Sequence, residues 1–308
     1  MKDRFQGALP GLAVGDALGF PVEFIGSDEI RRRHGPRGVT DFEPSHSHPK
    51  GSYTDDTQMS LAIANALTRA GEGSLDQVMA AVGEELIAWA TSPDNNRAPG
   101  STTMSACRRL AAGRPWRDSG IPESKGCGSA IRTAPIGLYY HNDRGRLMEV
   151  GAASSLATHG HACAVAGAQA NALAVALALE KTPPEEILAA ITESGGAITP
   201  EFSAKLSLVP DMLALPPDGA FDQLGDAWVA EEAMACAMYC FMRSPEDYRA
   251  AVLTAANASG DSDSIACIAG GISGAYNGLA AVPDEWVKGV ENSAGLLETA
   301  ERLCEAAG

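Results

Sequence analysis

Apolar residues recur at helical spacing in almost every long segment of this chain, and that periodicity restricts the fold more than any other feature. Met59, Ile63 and Leu67, then Val78, Leu86 and Trp89, then Met234, Met238 and Phe241 each fall on one face of a helix. The spacing predicts helices over residues 4–19, 56–70, 76–91, 101–112, 128–140, 149–158, 162–180, 185–193, 200–214, 228–242, 246–257, 264–280 and 288–305. Only Val39 to Phe42 reads as locally extended. Alanine is abundant and aromatics make up just 6% of the 308 residues, so the interior must be built from small side chains that let helices approach closely. No linker-like tract or fixed-period repeat divides the chain, and an all-α single domain over residues 1–308 is expected.

The formal charge of -16 excludes the bulk electrostatic route to nucleic acid, which needs clustered Lys and Arg. A local site can still hold phosphates through backbone N–H groups or metal ions. Seven scattered cysteines do not resemble a disulfide framework and are read as reduced. Cys236 and Cys240, four residues apart in an Ala-rich segment, suit a buried helix face better than a zinc knuckle. The first residues lack a basic-then-apolar signal layout, and no stretch reads as an uninterrupted membrane span. A cytoplasmic location, no membrane partner and a monomer are expected.

Two acidic clusters are the most informative local features. Thr54-Asp55-Asp56-Thr57 follows Gly51-Ser52-Tyr53 and opens an amphipathic helix; Asp261-Ser262-Asp263-Ser264 follows Ala258-Ser259-Gly260 and opens another. Helix capping explains either cluster taken alone, because Asp and Thr satisfy free N–H groups at a helix start. The second is not a calcium-binding EF-hand loop, since Ala266 and Ile272 stand where that loop needs Gly and an acid. Together the clusters supply oxygen ligands only, the hard set suited to Mg²⁺ or Mn²⁺. Four converging carboxylates would repel one another, and two divalent cations are the natural compensation.

Further candidates lie nearby in the sequence. Glu23 sits among apolar residues after a small-residue helix, where a solvent-facing position is the plain alternative. Asp94 lies in a Pro-Asp-Asn-Asn loop, where turn formation explains it equally well. The run Ser124, Lys125, Gly126, Cys127, Gly128 and Ser129 opens a helix with alternating glycines whose N–H groups can face an anion, though it matches neither a Walker loop nor a dinucleotide fingerprint. His159 reads either as a ligand contact or as a satisfied core histidine.

The ordered motifs resemble the ADP-ribosylglycohydrolases, especially the bacterial branch typified by the dinitrogenase reductase-activating glycohydrolase. They are Gly15-Asp16-Ala17-Leu18-Gly19 with Glu23, Gly51-Ser52-Tyr53-Thr54-Asp55-Asp56-Thr57, Gly126-Cys127-Gly128-Ser129-Ala130-Ile131-Arg132-Thr133-Ala134-Pro135, Thr158-His159-Gly160-His161, and Ser259-Gly260-Asp261-Ser262-Asp263-Ser264. The resemblance extends from about Phe5 to Leu279. It implies an all-α orthogonal bundle with a binuclear Mg²⁺ or Mn²⁺ centre at the base of an ADP-ribose cleft. By the same resemblance Thr54, Asp55, Asp56, Asp261, Asp263 and Ser264 become the metal ligands, Glu23 an acid beside the metals, Asp94 a candidate catalytic carboxylate and His159 a substrate contact. Ser124 to Ser129 fall on the loop that wraps the diphosphate; Cys127 departs from the Asn that many members carry. The implied reaction is hydrolysis of the N-glycosidic bond between ADP-ribose and a modified protein side chain, arginine first, with Glu23 or Asp94 as general acid or base and Asp55 and Asp56 in the catalytic set. Serine-linked or nucleic-acid-linked ADP-ribose, a non-catalytic ADP-ribose binder and a hydrolase of another nucleotide or sugar phosphate are the alternatives.

Overall fold

The computed structural model describes residues 1–45 and 47–308. Its described residues form helices joined by loops, with three isolated β-bridges and no sheet. Five helices build the centre: α1 (Lys2–Gly19), α2 (Asp55–Ala70), α3 (Ala162–Leu179), α4 (Ala230–Arg243) and α5 (Ser262–Asn277). α5 packs against α1, α3, α4 and the helix Tyr248–Ala256, and is buried along its whole length from Ser262 to Tyr276. One connected apolar cluster runs from Phe5 to Leu303.

The α1–α5 contact is a glycine seam. Gly7 faces Gly274, Gly11 faces Gly270, Gly15 faces Ala266 and Gly19 faces Asp263, so the helices run antiparallel with backbone against backbone. A Cβ at Gly11 would lie 2.7 Å from the Gly270 carbonyl oxygen, and at Gly15 it would come closer still to that of Ala266. A side chain at these positions has no space, which explains the four-residue spacing of glycines in α1. Tyr248 ties the seam by donating its hydroxyl to the Gly11 carbonyl at 2.7 Å. The antiparallel register sets the end of α1 beside the start of α5, where Ser262 Oγ donates to the Gly19 carbonyl at 3.1 Å.

The periodicity located most helices and misjudged how several end. The predicted span 128–140 divides into Gly128–Ile131 and Ala134–Tyr139, because Pro135 begins a new helix and cannot donate a hydrogen bond within an old one. Pro210 splits 200–214 in the same way. The stretch 288–305 starts at Ser293, after a separate helix Asp284–Gly289, with Asn292 left-handed between them. Ser27–His34 and Pro217–Leu224 are helices that the pattern missed, both short and polar. Val39, expected to be extended, lies in no strand: the Asn257 side chain accepts from its N–H at 2.7 Å and donates to its carbonyl at 2.9 Å. All seven cysteines are free, and Cys236 and Cys240 are buried on α4.

One reading needs correction. Ala162–Leu179 is long and apolar enough by composition to cross a membrane, contrary to the expectation that no segment is. The structure packs it against α4, α5, Pro184–Gly196 and Arg144–Leu156, so its apolar character builds the core.

The seam predicts that Gly15→Ala destabilises the protein by about 3 kcal/mol, the upper range for forcing extra atoms into a packed interior. Denaturant unfolding monitored by circular dichroism checks this; an unchanged midpoint would mean the helices part without cost.

Candidate active site and metal centre

The two acidic clusters meet. α2 and α5 each start at the same cavity of about 300 Å³, which Glu23, Asp55, Asp56, Asp261, Asp263 and Ser264 help to line. Ser264 Oγ donates to Asp56 Oδ2 at 3.1 Å and so joins the helix starts directly. Both N-termini aim partial positive charge at the carboxylates, which helps to hold them there.

Asp16 organises the first cluster from outside it. This α1 residue is fully buried and accepts from Thr54 N–H at 2.9 Å, Thr57 N–H at 3.0 Å and Thr57 Oγ1 at 2.6 Å. It thereby caps α2, while Thr54 Oγ1 accepts from Asp56 N–H at 3.3 Å. The Thr54 hydroxyl thus serves as a cap, and Thr54 is not among the residues that line the cavity. The sequence signals Asp16 only as a lone acid in an apolar helix, which does not reveal this role. On the other side, Gly260 at φ 86° lets the chain turn into α5, and its carbonyl accepts from Phe24 N–H at 2.7 Å, placing Glu23 beside the second cluster.

Carboxylate oxygens of Glu23, Asp261 and Asp263 lie within 4.8 Å of one another. Five carboxylates line the cavity with no Lys or Arg among the lining residues. Burial, then the charges of Asp261, Asp55 and Asp16, pushes Glu23 up to about 8. Burial and Asp16 raise Asp55 to about 7, and burial above all raises Asp16 to about 6, against its threonine hydrogen bonds. Asp56 and Asp263 are raised well above the usual carboxylate range by burial first and by their acidic neighbours next; burial also raises Asp261. Among the described residues, Asp263 Oδ1 is buried without a hydrogen-bond partner. An all-oxygen, unneutralised cluster with an orphaned oxygen fits divalent cations of the Mg²⁺ or Mn²⁺ class.

The glycine loop forms another wall, and only part of it faces inward. Gly126, Cys127 and Gly128 line the cavity. Cys127 Sγ donates to Asp261 Oδ2 at 3.2 Å, so the residue that departs from the family pattern touches the acidic centre itself. Lys125 turns the other way and pairs with Glu201 and Glu231. Ser129 Oγ donates to the Ala164 carbonyl at 3.4 Å and accepts from Ser155 Oγ at 3.0 Å, a structural use of the hydroxyl. Ser124 Oγ donates to Thr102 Oγ1 at 3.3 Å and accepts from Gly126 N–H at 3.4 Å, bracing the loop. These three side chains therefore support the cradle and do not line the cavity.

His159 is buried and does line the cavity, packed on Gly126 and Gly128, with Nδ1 2.8 Å from Thr158 Oγ1. Burial, then the Arg132 charge, lowers its pKa to about 3, so the imidazole is neutral. Asp94 is exposed in its turn and does not line the cavity; its N–H donates to Ser92 Oγ at 3.1 Å, the turn-forming alternative. Sequence reasoning also missed an aromatic plate at the rim. Phe24 and Trp228 stack with ring centroids 4.5 Å apart and 9° between planes, yet remain 49% and 51% exposed. Phe24 adopts φ 62°, costly for an aromatic residue.

The described residues form an all-helical fold around an acidic cavity, and comparison with known proteins identifies the class to which it belongs. The family model for ADP-ribosylglycohydrolases matches residues 1–308. The chain is 29% identical to ADP-ribosylarginine hydrolase Tri1 of Pseudomonas putida, over 99% of this chain and 79% of that protein. It is 27% identical to ADP-ribosylhydrolase ARH3 of Bos taurus, over 94% of this chain and 88% of that one. A solved structure described as an ADP-ribosylglycohydrolase-related protein complex superposes with a TM-score of 0.82 at 27% identity, covering 100% and 99% of the two chains. The chain belongs to the ADP-ribosylglycohydrolase family and is an enzyme that hydrolyses an ADP-ribose linkage.

The cluster's electrostatics predict an inverted pH profile. Each raised carboxylate binds its proton more tightly in the folded chain than in the unfolded one, so stability falls as pH rises from about 4 to about 8. Thermal melts in chelator should drop between pH 5.5 and pH 8 by several degrees, with Mn²⁺ restoring more at the higher pH; a profile that rises with pH would contradict this. Asp263→Asn should stabilise the metal-free protein by about 1 kcal/mol, because it removes one buried charge, and should abolish the Mn²⁺-induced rise in Tm.

Proposed function

We propose that the enzyme holds two divalent cations, Mg²⁺ or Mn²⁺, on Asp55, Asp56, Asp261, Asp263 and Ser264, with Glu23 beside them, and cleaves ADP-ribose from arginine side chains. The observation that carries this reading is the convergence of five carboxylates, three of them buried and two half-buried, on a cavity lined by no Lys or Arg; one of the buried ones has an unpartnered oxygen among the described residues. The likeness to a protein named ADP-ribosylarginine hydrolase supports arginine as the linkage. An acidic mouth also suits a cationic guanidinium.

When bound, the cations supply Lewis-acid polarisation and charge compensation for the ribose hydroxyls and the attacking water. The chain's own groups supply orientation and proton transfer. Gly126 and Gly128 offer a surface free of side chains for the diphosphate, and neutral His159 contacts the ligand as a hydrogen-bonding partner without adding charge. The Phe24–Trp228 plate presents a flat face for stacking a ring of the ligand. Hydrolysis forms a bond from water oxygen to C1 of ribose as the C1–N bond breaks with oxocarbenium character, and the water proton passes to the departing guanidine. Glu23 lines the cavity and Asp94 does not, so Glu23 is the acid–base candidate.

A substrate panel tests the proposal. ADP-ribose release from an arginine-ADP-ribosylated protein should need Mn²⁺ or Mg²⁺ and vanish in the Asp55→Ala/Asp56→Ala double variant. Glu23→Gln should lower kcat at least about 100-fold, while Asp94→Ala should retain activity near that of the parent. Faster release from serine-linked or nucleic-acid-linked ADP-ribose would reassign the linkage, and tight ADP-ribose binding without release from any substrate would refute turnover.

A further inference from the structure

Behind the glycine loop, away from the oxygen-rich cavity, a second cluster combines nitrogen, sulfur and oxygen donors. His161, Cys163 and Glu201 each present one ligand atom, and the three lie within 4.8 Å of one another. His161 is the N-cap of α3, Cys163 lies in its first turn, and Glu201 sits at the start of the helix Pro200–Leu206. The Cys163 thiol donates to Glu201 Oε2 at 3.3 Å. His161 Nδ1 accepts from Cys163 N–H at 3.1 Å, so that nitrogen carries no proton, and its lone pair must leave the amide to ligate a cation.

The charges here are incompletely balanced. Glu231 is buried; its Oε1 pairs with Lys125, and its Oε2 has no hydrogen-bond partner among the described residues. Lys125 also serves Glu201 at 2.6 Å, so one ammonium answers two carboxylates. The Cys163 thiol proton occupies the Sγ–Oε2 gap. A cation can replace that proton: the thiolate–metal bond forms as the S–H bond breaks, and the proton passes to solvent.

We infer that His161, Cys163 and Glu201 form a separate metal site for Zn²⁺ or another borderline-soft divalent cation, independent of the all-oxygen centre. The donor set selects the ion, since thiolate and imidazole favour Zn²⁺ where carboxylates alone favour Mg²⁺ or Mn²⁺. Cys163 is buried while Glu201 is exposed, so the site opens to solvent on one side. Lys125 connects it to the catalytic cavity, because the next residue, Gly126, is a wall of that cavity. The inference does not depend on the linkage that the enzyme cleaves.

Titration of the metal-free full chain with Co²⁺ tests the site, because thiolate coordination produces a near-ultraviolet charge-transfer band; competition with Zn²⁺ then reads the affinity. One equivalent of Co²⁺ should give the band, with one proton released per Zn²⁺ bound. Cys163→Ser should remove the band, and His161→Asn and Glu201→Gln should each weaken Zn²⁺ at least about tenfold. Cys127→Ser and the Asp55→Ala/Asp56→Ala double variant should keep it. No band in the parent protein overturns the inference, as does a band that survives Cys163→Ser or is lost in Cys127→Ser. Circular dichroism of each variant establishes folding, and the partly exposed His161→Asn provides the reading if Cys163→Ser unfolds.

Discussion

Backbone contact between α1 and α5 is the constraint on which the site depends. Glycines at positions 7, 11 and 15 of α1 meet Gly274, Gly270 and Ala266 of α5 without side chains between them, and Gly19 meets the backbone of Asp263. A seam of that kind leaves little freedom of register, because a slip of one residue would drive a Cβ into a carbonyl. The register fixes three functional placements together. Asp16 reaches the start of α2, Glu23 emerges beside α5, and Asp263 stands where the carboxylates converge. Small residues here do what large apolar ones do elsewhere in a core: they set distance.

A cost accompanies this precision. Gathering Glu23, Asp55, Asp56, Asp261 and Asp263 around one cavity raises the protonation affinity of each, and no Lys or Arg is among the lining residues to offset it. Such an arrangement opposes folding unless something positive binds. Structural acids usually avoid this by pairing, as Glu291 does with Arg97 at the edge of the same region. The absence of pairing inside the cavity separates a site that awaits cations from an ordinary helix cap, and it converts ligand charge into stability of the loaded protein.

The sequence revealed the convergence of the two clusters better than it revealed the roles within them. Asp55-Asp56 and Asp261-Ser262-Asp263 stand out because paired acids before apolar runs are uncommon, and both line one cavity. Thr54, Lys125 and Ser129 were harder, since the same residue types cap helices, pair with acids or bond to carbonyls, and only the fold shows which partner is in reach. Asp94 belonged to a turn motif and is used as one. Asp16 was visible as a lone acid in an apolar helix, but its partners, Thr54 and Thr57, lie a long loop away. Phe24 and Trp228 are far apart in the chain, so no local pattern announces their stack. Helix interiors followed periodicity, whereas their ends were decided by Pro135, Pro210 and left-handed Asn292.

Equilibrium binding of Mn²⁺ to the metal-free protein, followed through the electron paramagnetic resonance of the free ion, tests most directly the claim that this acidic cavity is built for cations. The account predicts two ions per chain in the parent protein and loss of both in an Asp56→Ala/Asp263→Ala double variant that still folds. Undiminished binding in that variant, or none in the parent at millimolar Mn²⁺, would contradict it.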